Sequence, residues 1–154
     1  HFFRKKMPNL QFFYDYGVRV MTLAWNDDND VIDGALTKNN RGLTHFGKEV
    51  VSEMNKLGMI IDVSHASKKG FYDVLNCTKK PFVASHSNAR AVSPWVRNLS
   101  DDMIVKLAQR GGVIGLNFCA DFLKGQRKSE IIETIGLMAS EDSSAGFYDI
   151  LCHL

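Results

Sequence analysis

The sequence contains little cysteine, and none of it falls into a metal-binding pattern. The three cysteines, Cys77, Cys119 and Cys152, are far apart and include no C-x-x-C pair. A zinc site built from thiolates is therefore not predicted. An odd number of scattered cysteines favours reduced thiols over a disulfide framework, which is typical of cytoplasmic proteins. We therefore expect a cytoplasmic location.

The signatures of several enzyme classes are also missing. Neither G-x-G-x-x-G nor G-x-x-x-x-G-K-S occurs, so the nucleotide-binding α/β folds have no support. The nucleophile pattern G-x-S-x-G is absent as well, which argues against a serine hydrolase. The acidic stretch at 27–30 lacks the ligand spacing and terminal glutamate of an EF-hand, so a calcium loop is not predicted.

Neither charge nor hydropathy points to nucleic acid or to a membrane. The net charge is +2, which gives no reason to expect an anionic partner. No apolar run approaches the roughly 20 residues that span a bilayer, and the N-terminal residues lack a secretory cleavage site. The first residue is not methionine, so we expect that sequence is missing upstream.

A regular alternation of apolar strands and amphipathic helices runs through the chain. It predicts strands at 17–25, 59–65, 81–86 and 113–118, and helices at 9–16, 44–57, 67–76, 100–111 and 129–138. Short helix-to-strand links and long strand-to-helix loops favour a (β/α) barrel or a doubly wound sheet.

Length then limits how much of such a barrel the chain can form. A complete barrel needs about 250 residues, so we expect 1–154 to be a single α/β domain with about four βα units, roughly half of a TIM-like barrel. The tail at 140–154 has no assigned place in it. An open half barrel has bare sheet edges, which predicts aggregation, poor order or pairing with a second copy as a homodimer.

Two predicted strands end in the same Ser-His pair. His65 and His86 close the runs at 59–65 and 81–86, and they are 21 residues apart. Histidines at the carboxyl edge of neighbouring parallel strands converge where α/β folds place their chemistry. Neutral imidazole is the commonest metal ligand in proteins, so a shared metal site is predicted. A catalytic zinc usually needs a third protein ligand, which this pattern does not supply.

Other residues near this edge have two readings each. Asp62 either braces a neighbouring ligand or points into a polar barrel interior, since a buried carboxylate requires partners. Arg97 either binds a substrate carboxylate bidentately or is a solvated surface arginine, and Arg90 is a weaker candidate for the same role. Trp25, at the end of the first strand, either walls a substrate pocket or caps the core.

An ordered series of motifs resembles the renal (membrane) dipeptidase family of zinc metallopeptidases. The motifs are GVRVMTLAWN at 17–26, GLT at 42–44 with FG at 46–47, IDVSH at 61–65, SHSNA at 85–89, RNLSDD at 97–102 and GVIGLNF at 112–118. The resemblance covers about residues 1–125. It implies a TIM-like barrel of the metal-dependent hydrolase type, with two zinc ions, that cleaves dipeptides through a metal-activated bridging water.

The resemblance also implies roles for individual residues. His65 and His86 match two zinc ligands, Arg97 matches the arginine that holds the substrate carboxylate, and Trp25 replaces a substrate-contacting histidine of some relatives. The family's His-x-Asp motif, the metal-bridging glutamate and the catalytic aspartate of Asp-Phe-Asp-Gly are not in this chain. No catalytic acid or base is therefore visible, and the isolated chain is expected to be an inactive central fragment. Another barrel amidohydrolase, or a non-catalytic α/β domain, are the alternative functions.

Overall fold

The computed structural model describes residues 8–123. Within that range the chain alternates helices and short strands, followed by a 3-10 turn at Ala120–Phe122. The elements, in chain order, are α1 Pro8–Asp15, β1 Val20–Thr22, α2 His45–Leu57, β2 Ile60–Asp62, α3 Lys68–Cys77, β3 Val83–Ala84, α4 Asp101–Gln109 and β4 Val113–Ile114. The predicted helix at 129–138 and the tail at 140–154 lie outside the described residues.

The four strands form one parallel sheet in the order β1-β2-β3-β4. Each strand is therefore joined to its sequence neighbour by a crossover that contains a helix, which is the arrangement of βα units. This confirms the predicted α/β fold with four parallel units. None of the helices between residues 8 and 123 is long and apolar enough to cross a bilayer.

The strands are shorter than predicted, and this corrects the position of both histidines. β2 ends at Asp62 and β3 ends at Ala84, so His65 and His86 lie in the loops that follow and not at the last strand residue. The apolar runs continue past the last paired residues because the loop segments are buried too: Val63 is only 3% exposed. Burial alone therefore does not mark where pairing stops.

The helices begin and end where their capping residues predict. The Thr44 hydroxyl accepts a hydrogen bond from the Gly47 amide at the start of α2, and Gly58 ends that helix in the left-handed conformation with φ 76°. Ser67 caps α3 in the same way through the Gly70 amide. Ser100 precedes α4 without such a bond.

The two faces of the sheet differ in their burial. Side chains alternate along a strand, and Ile61, Ala84 and Ile114 belong to the buried core. On the opposite face Val20 and Ile60, which are paired in register, are 47% and 41% exposed. β-branched residues of this kind line the interior of complete barrels, so this is the face that a closed barrel would cover.

The segment between β1 and α2 is longer than most loops but is held by burial and hydrogen bonds. Ile32 is fully buried, and the buried Asp33 carboxylate accepts hydrogen bonds from the backbone amides of Arg41 and Gly42. An isolated bridge joins Gly34 to Ala66, next to His65. The segment therefore packs over the carboxyl edge of the sheet.

Candidate metal centre

His65 and His86 lie together at the carboxyl edge of the sheet. Their ring centroids are 4.9 Å apart and the ring planes make an angle of 64°. The two loops that carry them follow the neighbouring strands β2 and β3, which are paired at Asp62 and Val83. Two imidazoles at this separation are close enough to serve one mononuclear or dinuclear centre.

The backbone at His65 has an unusual conformation. Its φ is +75°, and it is the only non-glycine residue with positive φ within residues 8–123. An L-residue in this region carries strain. The turn carries the side chain inward, where it is 4% exposed. Its Nδ1 lies 2.9 Å from Asn26 Oδ1, whereas Nε2 is buried and has no hydrogen-bond partner within residues 8–123.

His86 is held by serines on both loops. Its Nδ1 lies 2.7 Å from the hydroxyl oxygen of Ser85, and its backbone amide donates to the Ser64 hydroxyl. Because Ser64 belongs to the His65 loop, this bond ties the two histidine loops together. The relative position of the rings is therefore fixed by backbone as well as by side-chain contacts.

Asp62 is the hub of this network. Its buried carboxylate accepts hydrogen bonds from the backbone amides of Ser64 and Ser85, and from the hydroxyls of Ser85 and Thr22 at 2.6 and 2.7 Å. Burial by itself would raise the pKa of Asp62, but these bonds outweigh it and the pKa is lowered. Asp62 shares its face of β2 with Ile60, and Ser85 also contacts His86, so the carboxylate braces the His86 loop from the face that a closed barrel would cover.

Both imidazoles are kept neutral near pH 7. Burial, the Arg97 charge and His86 together lower the pKa of His65 from 6.5 to about 4, against an opposing effect of Asp62. Burial is also the main reason that the pKa of His86 is lowered, again against the opposing effect of Asp62. A neutral imidazole is the form that binds a metal ion.

Arg97 is buried, so the reading of it as a solvated surface residue is wrong. It is 8% exposed, and its Nη1 donates to Asn26 Oδ1 at 3.0 Å. Its Nε and Nη2 have no partner among the described residues. Burial lowers the pKa of Arg97 to about 10, which leaves the guanidinium charged at neutral pH. Arg90 instead donates to the carbonyls of Val96 and Asn98 and holds the loop in place.

Trp25 covers one face of His65. The indole and imidazole rings are stacked with centroids 4.1 Å apart, and Trp25 itself is 68% exposed. A large exposed apolar side chain beside buried polar groups is suited to contacting a bound molecule. Its exposure is inconsistent with the alternative reading as a cap on the core.

The side chains fit a metal ion only in part. The unpartnered, buried Nε2 of His65 beside a second neutral imidazole has the chemistry of a metal-ligand pair. However, residues 8–123 hold no group of three or more His, Cys, Asp or Glu that could enclose a metal ion. This part of the chain therefore supplies two ligands and leaves the rest of a centre to be supplied elsewhere.

Three residues of the site were not identified from the sequence: Asn26, Ser85 and Thr22. Thr22 is the last residue of β1, Ser85 directly follows β3, and Asn26 lies four residues after β1, so all three are at the carboxyl edge. That position was the available signal, because polar side chains there face the site of an α/β fold.

The fold and the site together define a class. Parallel βα units with histidines at the carboxyl edge are typical of barrel-type metal-dependent hydrolases. The sequence matches the membrane dipeptidase family (peptidase family M19) over residues 1–153, and the chain belongs to that family. The match extends beyond residue 125, where the recognisable motifs end.

Individual relatives agree with this assignment. An uncharacterized dipeptidase of Schizosaccharomyces pombe is 38% identical over 128 residues, which cover 82% of this chain and 31% of the relative. A metallo peptidase from Rhodobacter sphaeroides, solved with a phosphinate mimic of the dipeptide L-Ala-D-Ala, superposes with a TM-score of 0.80 at 29% identity, covering 87% of this chain and 42% of that one. An amidohydrolase from Pseudomonas aeruginosa gives 0.81 and 29%, covering 98% and 49%. The chain thus spans less than half the length of these relatives.

Proposed function

We propose that the complete protein is a zinc-dependent dipeptidase in which His65 and His86 are two of the metal ligands. The observation that carries this proposal is the pair of neutral imidazoles 4.9 Å apart, one with a buried Nε2 that no other described residue contacts by a hydrogen bond. Family membership supports the same activity. Two zinc ions are proposed by resemblance, and their remaining ligands lie outside the described residues.

Arg97 is the proposed anchor for the substrate. Its Nε and Nη2 are buried and have no partner in the described part of the chain, so both are proposed to bind a carboxylate. A free carboxylate held at a fixed distance from the scissile bond limits the substrate to a short peptide. The relative that binds a dipeptide mimic supports this substrate class.

The other residues orient these groups. Asn26 Oδ1 accepts a hydrogen bond from Arg97 and lies 2.9 Å from His65 Nδ1. Trp25 forms a wall against which a substrate side chain can pack. The chemistry that zinc supplies in such sites is polarisation of the scissile carbonyl and activation of a water molecule. The described residues contribute binding and orientation, and they include no proposed general base.

The test is a comparison of the 154-residue chain with the complete gene product, each supplied with zinc and a set of dipeptides. Turnover is expected from the complete product and not from the chain, because the residues at 8–123 offer two proposed ligands where a catalytic zinc usually has three. Removal of zinc by a chelator should abolish the turnover. Absence of dipeptide hydrolysis by the zinc-loaded complete product would contradict the proposal.

A second function is another amide hydrolysis on the same barrel, which the similarity to the Pseudomonas amidohydrolase favours. Hydrolysis of cyclic or acylated amides at a higher kcat/KM than of dipeptides would support it.

A cytoplasmic location is also proposed, from the scattered thiols, of which Cys77 and Cys119 are free and exposed. Cell fractionation with an antibody to the chain tests that proposal.

A further inference from the structure

We propose that Asn26 and Ser85 are positioning residues that hold His65 and His86 in the same tautomer, with the ring hydrogen on Nδ1. Each ring then carries its lone pair on Nε2, the nitrogen that is proposed to bind the metal. The identity of the metal rests on the proposed dipeptidase function. The tautomers, however, are properties of the chain alone.

The tautomer of His65 follows from a shared acceptor. Arg97 Nη1 lies 3.0 Å from Asn26 Oδ1 and can only donate, so the Asn26 atom facing it must be the carbonyl oxygen. The same oxygen lies 2.9 Å from His65 Nδ1. Two acceptors would repel at that distance, so Nδ1 carries the hydrogen. The unpartnered, buried Nε2 is therefore the nitrogen with the lone pair.

The tautomer of His86 follows from a chain of hydrogen bonds. The Ser85 hydroxyl has one hydrogen, and its oxygen lies 2.6 Å from the Asp62 carboxylate, which accepts from every group around it. That hydrogen is therefore directed to Asp62. The Ser85 oxygen is then the acceptor for His86 Nδ1 at 2.7 Å. His86 accordingly carries its hydrogen on Nδ1 as well.

The two acceptors act independently on the two rings. Asn26 follows β1 and Ser85 follows β3, and neither bonds the other's histidine. Partners of this kind fix both the tautomer and the ring orientation of a metal ligand, and their loss typically costs about 10- to 100-fold in metal affinity. Asn26 has a second effect, since its bond to Arg97 sets the distance between the metal ligand and the carboxylate-binding residue.

The experiment is nitrogen-detected NMR of the histidine rings in the metal-free 154-residue chain at pH 7.5. In the wild-type chain both His65 and His86 should show a protonated Nδ1 and an unprotonated Nε2. Ser85→Ala should shift His86 towards the other tautomer and leave His65 unchanged, whereas Asn26→Ala should do the reverse. Each variant is thus the control for the other.

Two further variants sharpen the comparison. Ser64→Ala removes a neighbouring hydroxyl that bonds the backbone of His86 and not its ring, so both tautomers should persist. Ser85→Thr retains the hydroxyl and should restore the wild-type His86 signals. In zinc titrations Ser85→Ala and Asn26→Ala should each weaken binding about 10- to 100-fold.

A protonated Nε2 on either ring of the wild-type chain would overturn the proposal, and so would an unchanged His86 in folded Ser85→Ala. The wild-type spectrum tests it even where a variant fails to fold. Failure of the complete gene product to cleave dipeptides would refute the proposed function and leave the tautomer assignment standing. Dipeptide turnover by the complete product, together with a ring hydrogen on Nε2 in the wild-type chain, would support the proposed function and refute the tautomer assignment.

Discussion

The indole of Trp25 lies on the imidazole of His65, with ring centroids 4.1 Å apart and planes inclined by 23°. This stacking shields one face of the imidazole from water, and burial is the largest contribution to the lowered pKa of His65. Trp25→Ala should therefore raise the pKa of His65 from about 4 towards 6.5. NMR titration of the His65 ring in the metal-free chain measures this.

Phe118→Ala provides the matched control for Trp25→Ala. Phe118 is also a large aromatic side chain near the carboxyl edge, and it is 48% exposed, but His65 is not among its ring contacts. Its removal should leave the pKa of His65 unchanged. An equal rise in both variants would show that Trp25 has no specific shielding effect.

The stability of the metal-free chain should fall as the pH is lowered from 6.5 to about 4. The pKa of His65 is about 4 in the folded state, so between these values the unfolded state binds more protons than the folded state. The stabilisation is complete above 6.5 and is lost as the pH falls. His86, whose pKa is also lowered, acts in the same direction.

Urea unfolding at pH 7, 6 and 5 measures this dependence, and His65→Gln should make it shallower. The lowered pKa of Asp62 acts only below its ordinary value of 3.8, so it does not contribute in this window. Stability that is constant between pH 7 and 5 would contradict the prediction.

Replacing His65 by glycine should be less harmful than replacing it by alanine. Both variants lose the imidazole, but only glycine adopts φ +75° without the steric cost that an L-residue pays there. The glycine variant should be more stable by about 1 kcal/mol, measured by urea unfolding. At His86, where φ is not positive, the order should reverse.

Gly115→Ala should disturb the metal centre from a distance. Gly115 follows β4, and a Cβ atom there would clash with the backbone carbonyl of Ser85, the residue before His86. The strands must separate to relieve the clash, at a cost of about 1–3 kcal/mol. Thermal unfolding and the His86 ring signals measure the effect. Gly17→Ala is the comparison, because a Cβ atom meets nothing within 4 Å there and only the backbone at φ +97° is strained.

In the complete gene product, Arg97→Met should raise KM for dipeptides roughly 10- to 100-fold, which is the loss expected for charged hydrogen bonds. The penalty should vanish for dipeptide amides, which lack the carboxylate. Arg110→Met, at the far end of α4, serves as the control for loss of charge. An equal rise in KM for dipeptides and for dipeptide amides would refute the assigned role of Arg97.

The helices could be predicted from the sequence because their signals are local. Thr44 and Gly58 bound α2 through contacts within one turn, and the periodic apolar residues of that helix are buried. The strand ends were predicted poorly. Apolar character extends to Val63, but β2 ends at Asp62. The Val63 amide still bonds with Val83 of β3, whereas the His65 carbonyl accepts from Ala35 in the segment between β1 and α2.

The two histidines were recognisable as candidates because their type and position are visible in the sequence. Their supporting residues were not, since the bond between Asn26 and Arg97 joins residues 71 positions apart and Asp62 collects donors from three strand ends. No spacing rule encodes such contacts. Their role as metal ligands stays a prediction, as do the single domain 1–154 and the homodimer.

The order of the strands in the sheet is the same as their order along the chain. Each of β2, β3 and β4 therefore pairs with the strand that is synthesised just before it. Their pairing with that strand does not require any strand that is synthesised later. Within this segment the sheet can grow during translation, one unit at a time, in the direction in which the ribosome releases it.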